Sequence, residues 1–157
     1  MTIRRAEIKD ISKIAQLLVQ VLNVHNAARP DIFKANTRKY TDQELEIMLS
    51  NDDNPIFVAT NDSDIVIGYV FCKLIIQKDS HILKDKKTLY IDDLCVDENL
   101  RGQHIGSKLY GYVKNYAESI GCDNITLNVW ADNISAHKFY KKLGFKPQRH
   151  ILEMDLS

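Results

Sequence analysis

Two periodicities of apolar and polar residues alternate along the chain, one typical of helices and one typical of strands. Apolar residues recur at helical spacing from Ile11 to Leu22 and again from Ile105 to Ile120. Between residues 56 and 96 they form short runs separated by polar turns, as strands do. The pattern predicts strands over residues 2–5, 56–60, 65–77, 88–96, 125–130 and 150–156. It predicts helices from Asp10 to near His25, from Thr41 to residue 50, from Ile105 to Ile120 and from Asn133 to Leu143.

The order of these elements indicates the class of fold. Three hairpin-type strands precede a strand-helix-strand unit, and the run over residues 65–77 is apolar at both parities. Such a strand is expected to be covered on both faces, which predicts an α/β fold with a mixed sheet between two helical layers. The 157 residues suffice for a single domain over residues 1–157.

Composition and charge narrow the classes of partner. Lys+Arg and Asp+Glu balance at 21 each, so no overall field attracts nucleic acid or an acidic membrane. No apolar run approaches membrane-spanning length and the first residues do not resemble a signal peptide, so a cytoplasmic location is expected. The three cysteines are expected to be buried free thiols. No two histidines stand four residues apart, so no metal site is expected.

A glycine-rich turn, LRGQHIGSKL (residues 100–109), follows the strand predicted over residues 88–96. It fits neither common phosphate loop: Gly102 and Gly106 are too close for a Walker loop, and the dinucleotide pattern fails at Gln103 and His104. The amides that open the next helix could hold a diphosphate, with Arg101 adding positive charge. Alternatively, they could bind only water, and the turn alone does not decide between these two interpretations.

Two longer stretches carry a family resemblance. YIDDLCVDENLRGQHIGSKLYGYV (residues 90–113) and NISAHKFYKKLGF (residues 133–145) resemble the two motifs of the GNAT superfamily of N-acetyltransferases, and the predicted element order agrees with that fold. The resemblance extends over residues 88–146 and is nearest to the diamine (spermidine/spermine-type) enzymes. It implies a mostly antiparallel sheet of six to seven strands. His104 stands where the family usually has the first glycine of R-x-x-G-x-G.

The resemblance implies acetyl-CoA as co-substrate and assigns residues to it. The backbone of the strand's last residues would pair with the pantetheine arm, Asn133 would hydrogen-bond it and Ala136 would leave it room. Asn133 is equally suited to be a helix N-cap. The residues expected to bind acetyl-CoA are Leu94, Cys95, Val96, Arg101, Gly102, Gln103, His104, Ile105, Gly106, Ser107, Asn133, Ala136 and Tyr140.

Acetyl transfer to an amine needs a proton acceptor and a proton donor. Asp92 and Asp93 are candidate bases; because neighbouring residues of a strand alternate in direction, only one is expected to face the cleft, and the resemblance favours Asp92. The alternative is a solvated pair at a strand end. Tyr140 matches the family's proton donor to the CoA sulfur, although it could be a core tyrosine beside Phe139. A covalent route through Cys95 is rejected, since no histidine stands at a fixed local spacing to activate it.

The acceptor cleft is expected between residues 25–34 and 78–87, although the RPDIF stretch could be only a packed turn with Ile32 and Phe33 buried. The expected function is transfer of an acetyl group to a primary amine of a polyamine-like small molecule or a peptide. The alternative is a silent acyl-CoA-binding sensor or interaction module. A homodimer is possible, and neither nucleic acid nor membrane is an expected partner. The residues expected to bind the acceptor are His25, Asp31, Asp92 and Asp93.

Overall fold

The computed structural model describes all residues from 1 to 157. The strands are β1 (Thr2–Arg5), β2 (Ile56–Thr60), β3 (Val66–Gln77), β4 (Lys86–Val96) and β5 (Asn124–Leu127). The helices are α1 (Ile11–Ala28), α2 (Asp42–Leu49), α3 (Ile105–Ser119) and α4 (Ile134–Lys142), with short 3-10 helices at Ile8–Asp10 and Glu98–Leu100. The strands form one sheet in chain order, in which β4 and β5 are parallel and all other neighbours are antiparallel.

Helices cover both faces of the sheet over the first part of β3, from Val66 to Cys72, as the two-sided apolar run predicts, whereas Ile75 and Ile76 in its second part are exposed. On one face, α1 and α2 bury residues that include Leu17, Leu18 and Leu45. On the other face, α3 buries Leu109 and Val113 against β2, β3 and β4. The mixed, mostly antiparallel sheet between helices is therefore confirmed. The predicted strand count is slightly wrong, because the sheet has five strands rather than six or seven.

The C-terminal residues account for the difference in strand count. The sequence pattern predicts a strand over residues 150–156, but these residues form no strand and all of residues 146–157 are exposed. Their alternating apolar pattern is that of a strand, yet the chain offers no neighbouring strand that pairs with it. The strand predicted over residues 125–130 is also shorter, since regular pairing ends at Leu127.

The helix predictions hold with small shifts of boundary. The capping box is present at α2, where Thr41 Oγ1 accepts from the Glu44 amide at 3.2 Å and Glu44 accepts from the Thr41 amide at 2.7 Å. The first helix extends to Ala28, beyond the predicted end near His25. None of the helices is long and apolar enough to cross a membrane.

A β-bulge at Asp92 interrupts the alternation of side chains half-way along β4. Ile91 pairs with Cys72 and Asp93 pairs with Phe71, the next residue of β3, so Asp92 has no partner. Ile91 therefore packs on the α3 face, whereas Cys95 packs on the α1–α2 face. In a regular strand these two residues would lie on the same face, because they are four positions apart.

β4 and β5 diverge beyond the bulge. Their parallel ladder joins Thr88 to Asn124 and ends at Ile91 and Leu127. β4 continues to Val96 with no strand on its outer side. The edge of β4 from Asp92 to Val96 therefore borders a wedge-shaped opening within the sheet, and this opening is called the wedge below.

Candidate functional site

The glycine-rich turn lies beside the wedge and offers five backbone amides. None of the amides from Gln103 to Ser107 donates to a protein acceptor; the first helical bond of α3 is from Lys108 to the carbonyl of His104, at 3.1 Å. These amides stand at the positive end of the helix dipole, where an anion is favoured. The turn therefore has the geometry that a diphosphate would require.

His104 occupies a backbone conformation that glycine adopts without strain. Its φ is 60° and its ψ is 17°, which is the left-handed region, and Gly102 two residues earlier has a φ of 81°. A left-handed conformation costs a residue other than glycine about 1–2 kcal/mol. The side chain of His104 is exposed and makes no capping hydrogen bond. The turn thus takes the same kind of backbone shape with histidine where the family motif has glycine.

Gly106 brings three elements of the site together. A Cβ atom at this position would lie 3.3 Å from Cζ of Phe139 in α4 and 3.7 Å from Cγ2 of Val96 in β4. The first contact is closer than ordinary van der Waals distance, so a larger residue would push α4 away from the turn. Gly106 therefore lies where the turn, α4 and the end of β4 approach one another closely.

The bulge places both strand carboxylates on the α1–α2 face of the sheet. Asp93 Oδ2 accepts from the Tyr69 hydroxyl at 2.8 Å, and Asp92 Oδ2 accepts from the Tyr40 hydroxyl at 2.7 Å. Tyr69 belongs to the core on that face, and Tyr40 packs against it. The expectation that only one aspartate can face a given side is therefore wrong, because it assumes a strand without a bulge.

The pKa values of the two carboxylates are shifted in opposite directions. Burial alone raises the pKa of Asp92, but hydrogen bonds from Lys39 and Tyr40 outweigh burial and hold the pKa of Asp92 below its usual value. The Lys39 ammonium lies 2.8 Å from Asp92 Oδ2. Burial raises the pKa of Asp93 to about 6, in spite of the hydrogen bond from Tyr69. Asp93 is therefore the carboxylate that titrates near neutral pH.

Tyr140 lies in α4 across the wedge from β4. Its ring packs edge-on against Phe139 and Phe145, at centroid distances of 5.0 and 5.5 Å. Burial and the negative charge of Asp93 raise the pKa of Tyr140 well above its usual value. The hydroxyl is therefore protonated at neutral pH, and the charge of Asp93 acts on it.

Two more of the expected residues have contacts of their own. Asn133 caps α4, since its Oδ1 accepts from the Ala136 amide at 3.1 Å. The N-cap alternative is thus present, and it leaves the Nδ2 group of Asn133 without a protein acceptor. Cys95 is buried against the carbonyl of Leu17, at 3.7 Å, and burial raises its pKa to about 12. Such a thiol is a poor nucleophile, which agrees with rejection of a covalent route.

A small cavity lies between the end of α1 and the start of α4. Its volume is about 90 Å³, and His25, Phe33, Trp130 and Asn133 contribute to its lining. His25 stacks on Phe33 at 5.0 Å, and burial together with the charge of Lys39 lowers the pKa of His25.

Asp31 is less well placed than His25 to meet an acceptor. It pairs with Arg29, at 2.7 and 2.9 Å, and its side chain is exposed. The charge of Asp31 is thus already compensated at the rim of the cavity. Nearby, Ile32 is exposed and Phe33 is half-buried, so the RPDIF stretch is not the fully packed turn of the alternative interpretation.

The tyrosine and lysine partners of the carboxylates are not singled out by the sequence. Lys39 and Tyr40 belong to a stretch without a clear period, and Tyr69 lies in an apolar run that resembles ordinary core. The one available signal is that Tyr40 directly precedes the capping box at Thr41, which fixes its position at the start of α2.

Comparison with known proteins identifies the family. Residues 18–145 match the sequence model of the Acetyltransferase (GNAT) family. The chain belongs to the GNAT family. The GNAT fold accounts for the divergence of β4 and β5 and for the open amides at the start of α3, since the family uses acetyl-CoA.

Individual GNAT relatives are distant and longer than the matched region. The chain is 31% identical over 105 residues to the peptidyl-lysine N-acetyltransferase YjaB of Salmonella typhimurium, which covers 66% of this chain and 59% of that protein. It is 38% identical over 85 residues to N-alpha-acetyltransferase 50 of Danio rerio, which covers 54% of this chain and 47% of that protein. The chain thus spans about half the length of these curated relatives.

A solved structure matches this GNAT chain from end to end. The crystal structure of a mutant of the BH1408 protein from Bacillus halodurans superimposes with a TM-score of 0.96 at 29% identity, covering 100% of both chains. The match includes the exposed residues 146–157, since it covers the whole of this chain.

Proposed function

We propose that this GNAT protein is an acetyl-CoA-dependent N-acetyltransferase that acetylates a primary amine by direct attack. The observation that carries the proposal is the bulge at Asp92, which places two carboxylates at the apex of the wedge. The pKa of one, Asp92, is lowered, and the pKa of the other, Asp93, is raised. A protein that only bound acyl-CoA would need the amides of the turn. It would not need a carboxylate that titrates near neutral pH beside a buried tyrosine.

The binding of acetyl-CoA, which supplies the activated acetyl group, is assigned to the turn and the strand edge. The free amides from Gln103 to Ser107, with Arg101 beside them, would hold the diphosphate. The unpaired edge of β4 from Leu94 to Val96 would pair with the pantetheine arm as a neighbouring strand does. Asn133 has an amide group free to hydrogen-bond this arm.

Removal of the amine proton is assigned to Asp93. The family resemblance points to Asp92, but Asp92 already holds Lys39 and Tyr40 and its pKa is lowered, which makes it a weak base. The raised pKa of Asp93 suits proton transfer near neutral pH, directly or through a water. In this proposal Asp92 stays ionised and attracts the positively charged acceptor.

Proton delivery to the departing CoA sulfur is assigned to Tyr140. A tyrosine whose pKa is raised remains protonated and so can donate. Its hydroxyl makes no hydrogen bond with another protein group, so no competing acceptor holds the proton. Tyr140→Phe is expected to lower kcat by roughly 100-fold or more, the range of general acid–base catalysis, while the Kd for acetyl-CoA stays within about twofold. Equal losses in both quantities would contradict the role of proton donor.

The class of acceptor is suggested by the protein's own lysine. The Lys39 ammonium already lies against Asp92, and its nitrogen lies over the Tyr40 ring, 5.5 Å from the centroid. Asp92 thus binds a primary ammonium in the way an acceptor would require. A peptide lysine or N-terminal amine, as the names of the two relatives suggest for those proteins, and a polyamine-like amine share this group. Lys39→Met is expected to lower the KM for the amine and leave the KM for acetyl-CoA unchanged.

Calorimetric titration with acetyl-CoA and, separately, with ATP is the first test. Micromolar binding of acetyl-CoA, without binding of ATP, is expected. A panel of peptide and small-molecule amines, read by release of free thiol, then tests turnover. Binding without thiol release from any amine would favour the silent acyl-CoA sensor, while absence of acetyl-CoA binding would overturn the assignment of the turn.

A further inference from the structure

The carboxylate that is proposed to attract the acceptor already binds a lysine of the protein itself. The Nζ atom of Lys39 lies 2.8 Å from Oδ2 of Asp92, and the lysine side chain is 46% exposed. The Tyr40 hydroxyl donates to the same carboxylate oxygen at 2.7 Å. A primary ammonium of this chain thus occupies the position that the amine of an acceptor would take.

The charge of Lys39 also acts on the proposed base. Burial raises the pKa of Asp93, and the Lys39 ammonium is among the groups that oppose this shift. Burial and the charge of Asp93 raise the pKa of Tyr140. Because such effects weaken with distance, Lys39, Asp93 and Tyr140 lie in one neighbourhood. The chain therefore supplies an amine as well as the proposed proton acceptor and proton donor.

The backbone around Lys39 leaves its side chain free to move. Residues 34–40 form no helix or strand and make no hydrogen bond between backbone groups. Side chains hold this stretch, through the ion pair of Arg38 with Asp42 and the hydrogen bond of Tyr40. Segments with few backbone hydrogen bonds open locally at a low cost in free energy. Lys39 can therefore move its ammonium from Asp92 toward a thioester held in the wedge.

We propose that Lys39 is an acetylation site that the protein modifies by its own reaction, and that this modification frees Asp92 for the acceptor. The proposal rests on the proposed N-acetyltransferase function and adds a target within the same molecule. The contact of Lys39 with Asp92 distinguishes it from Lys73, which is exposed and acts on Asp92 only through its charge.

The chemical step is acetyl transfer with Lys39 as the amine. Its Nζ atom forms a bond to the carbonyl carbon of the thioester, and the bond from this carbon to the CoA sulfur breaks. The ammonium loses two protons in total. One passes through Asp93 to solvent, and the other makes up for the proton that Tyr140 gives to the sulfur. The products are a neutral amide on Lys39 and the free thiol of CoA.

Acetylation changes the site because it removes a charge. An acetylated lysine is neutral and cannot form an ion pair, so Asp92 loses its internal ammonium and becomes available to an external one. The reaction is intramolecular, and the proximity of the two groups gives Lys39 an advantage over a dissolved amine. Acetyl-CoA in the absence of an acceptor would therefore convert the protein to the form with the higher affinity for amines.

The experiment incubates the full chain with acetyl-CoA alone and follows each lysine by peptide mass spectrometry. Acetylation of Lys39 is expected to be at least about tenfold faster than that of Lys73, because only the first is held at the site. The rate at Lys39 is expected not to depend on protein concentration. In Tyr140→Phe this rate is expected to fall by roughly 100-fold, while the slow chemical acetylation of Lys73 stays the same.

The affinity for an added amine tests the consequence for Asp92. Lys39→Gln imitates the neutral acetylated side chain and is expected to lower the KM for the amine by about two- to fivefold, the range for loss of an exposed ion pair. Prior incubation of the unchanged protein with acetyl-CoA is expected to lower this KM to the same value. The matched control is Lys39→Arg, which keeps the charge and cannot be acetylated, so prior incubation is expected to leave its KM unaltered.

Several results would overturn the proposal. Equal rates at Lys39 and Lys73, or an unaltered rate at Lys39 in Tyr140→Phe, would mean that the modification is only chemical. A rate that rises with protein concentration would mean that one molecule acetylates another. Thiol release with an added amine while Lys39 stays unmodified would overturn self-acetylation and leave the proposed function intact. Binding of acetyl-CoA without acetylation of Lys39 or of any added amine would overturn both.

Discussion

Two adjacent aspartates of the same strand have pKa values shifted in opposite directions, because burial dominates at one and hydrogen bonds dominate at the other. Burial in the core disfavours the charged form of Asp93 in spite of its hydrogen bond from Tyr69, whereas hydrogen bonds from an ammonium and a phenol outweigh burial at Asp92. Asp92 therefore has a lowered pKa and Asp93 a pKa raised to about 6. This separation allows one carboxylate to stay ionised and the other to exchange a proton near neutral pH.

The pH dependence of turnover follows from the raised pKa of Asp93. A base must be deprotonated to act, so kcat/KM is expected to fall as the pH drops through about 6. Asp93→Asn is expected to remove this acidic limb and most of the activity. Asp92→Asn is the control, since it is expected to raise the KM for the amine and leave the limb in place. If the limb disappeared in the Asp92 variant instead, the base would be Asp92.

The same two residues predict opposite effects of pH on stability. The folded-state pKa of Asp93 is above its unfolded value, so the folded state favours the protonated form of Asp93. The stability that this preference contributes at low pH is lost as the pH rises through about 6. Asp93→Asn is therefore expected to raise the Tm at pH ~7.5 relative to the unchanged protein, and to have less effect at pH ~4. Asp92 has a lowered pKa, so Asp92→Asn is expected to lower the Tm at the higher pH. Thermal scans at the two pH values measure both signs.

The left-handed conformation of His104 can be tested by residue type. Glycine adopts this conformation without strain, whereas a β-branched residue is an outlier there. His104→Gly is expected to keep the Kd for acetyl-CoA within about threefold, while His104→Val is expected to raise it about tenfold through a distorted turn. Calorimetry measures both. A large loss with glycine would instead mean that the histidine side chain contacts the cofactor.

At the scale of single residues, the sequence predicts which residue types lie in the site, but it does not predict every direction in which their side chains point. The amides from Gln103 to Ser107 are open as expected. The predicted facing of Asp92 and Asp93 is wrong, because a one-residue bulge leaves no signature in an apolar run. The partners of these aspartates come from segments more than twenty residues away, and no local pattern links them.

Among the elements, the contact of β3 with β4 and α3 depends on a glycine. A Cβ on Gly68 would lie 2.9 Å from the carbonyl oxygen of Cys95 and 3.1 Å from Cδ1 of Leu109. The first of these is a backbone atom beside the wedge, so relief of the clash requires β4 to move. The end of β4, which carries the proposed pantetheine contacts, thus packs so closely on β3 that no side chain fits at Gly68.

Gly68→Ala is expected to destabilise the fold by about 1–3 kcal/mol, the usual cost of overpacking, and to weaken acetyl-CoA binding. Gly111→Ala is the matched control. Gly111 lies in α3, and a Cβ added there would meet no other atom within 4 Å, so alanine is expected to stabilise the helix. The gain should be roughly 0.5–1 kcal/mol. Chemical denaturation measures both changes, and equal effects of the two substitutions would contradict the packing argument.

The types of the elements follow from the sequence because the apolar patterns are strong. The error at residues 150–156 has a physical reason: alternation shows that a segment is suited to a sheet, but the presence of a strand also needs an available edge. The segment thus has the sequence of a strand without the pairing of one.

At the scale of the whole molecule, the sheet has a closed part, β1 to β3, and an open part, where β4 and β5 diverge at the wedge. β1, β2 and β3 are paired with one another, and β2 and the first part of β3 are buried between two layers, whereas β4 and β5 share only a short ladder. A ligand in the wedge would contact both sides of the gap. Its binding is therefore expected to stabilise the open part and to leave the closed part unchanged.

Hydrogen exchange with and without acetyl-CoA tests this expectation. Amides of residues 94–96 and 103–107 are expected to be protected by at least about tenfold at saturation, a modest effect on the scale of local opening. Amides of β1 and β2 that exchange through local opening are expected to be unaffected. Uniform protection over the whole chain would indicate global stabilisation instead of binding in the wedge.

The bulge at Asp92 also bears on how such a site can arise or be lost. Point substitution changes the chemistry of a position but leaves its side of the strand unaltered. Removal of the single codon for Asp92 would leave a regular strand in which Ile91 still pairs with Cys72 and Asp93 with Phe71, so Asp93 would keep its side and the second carboxylate would be lost. In mutational terms, the paired carboxylates are separated from an ordinary strand by one in-frame insertion, a step that no series of single-base substitutions reproduces.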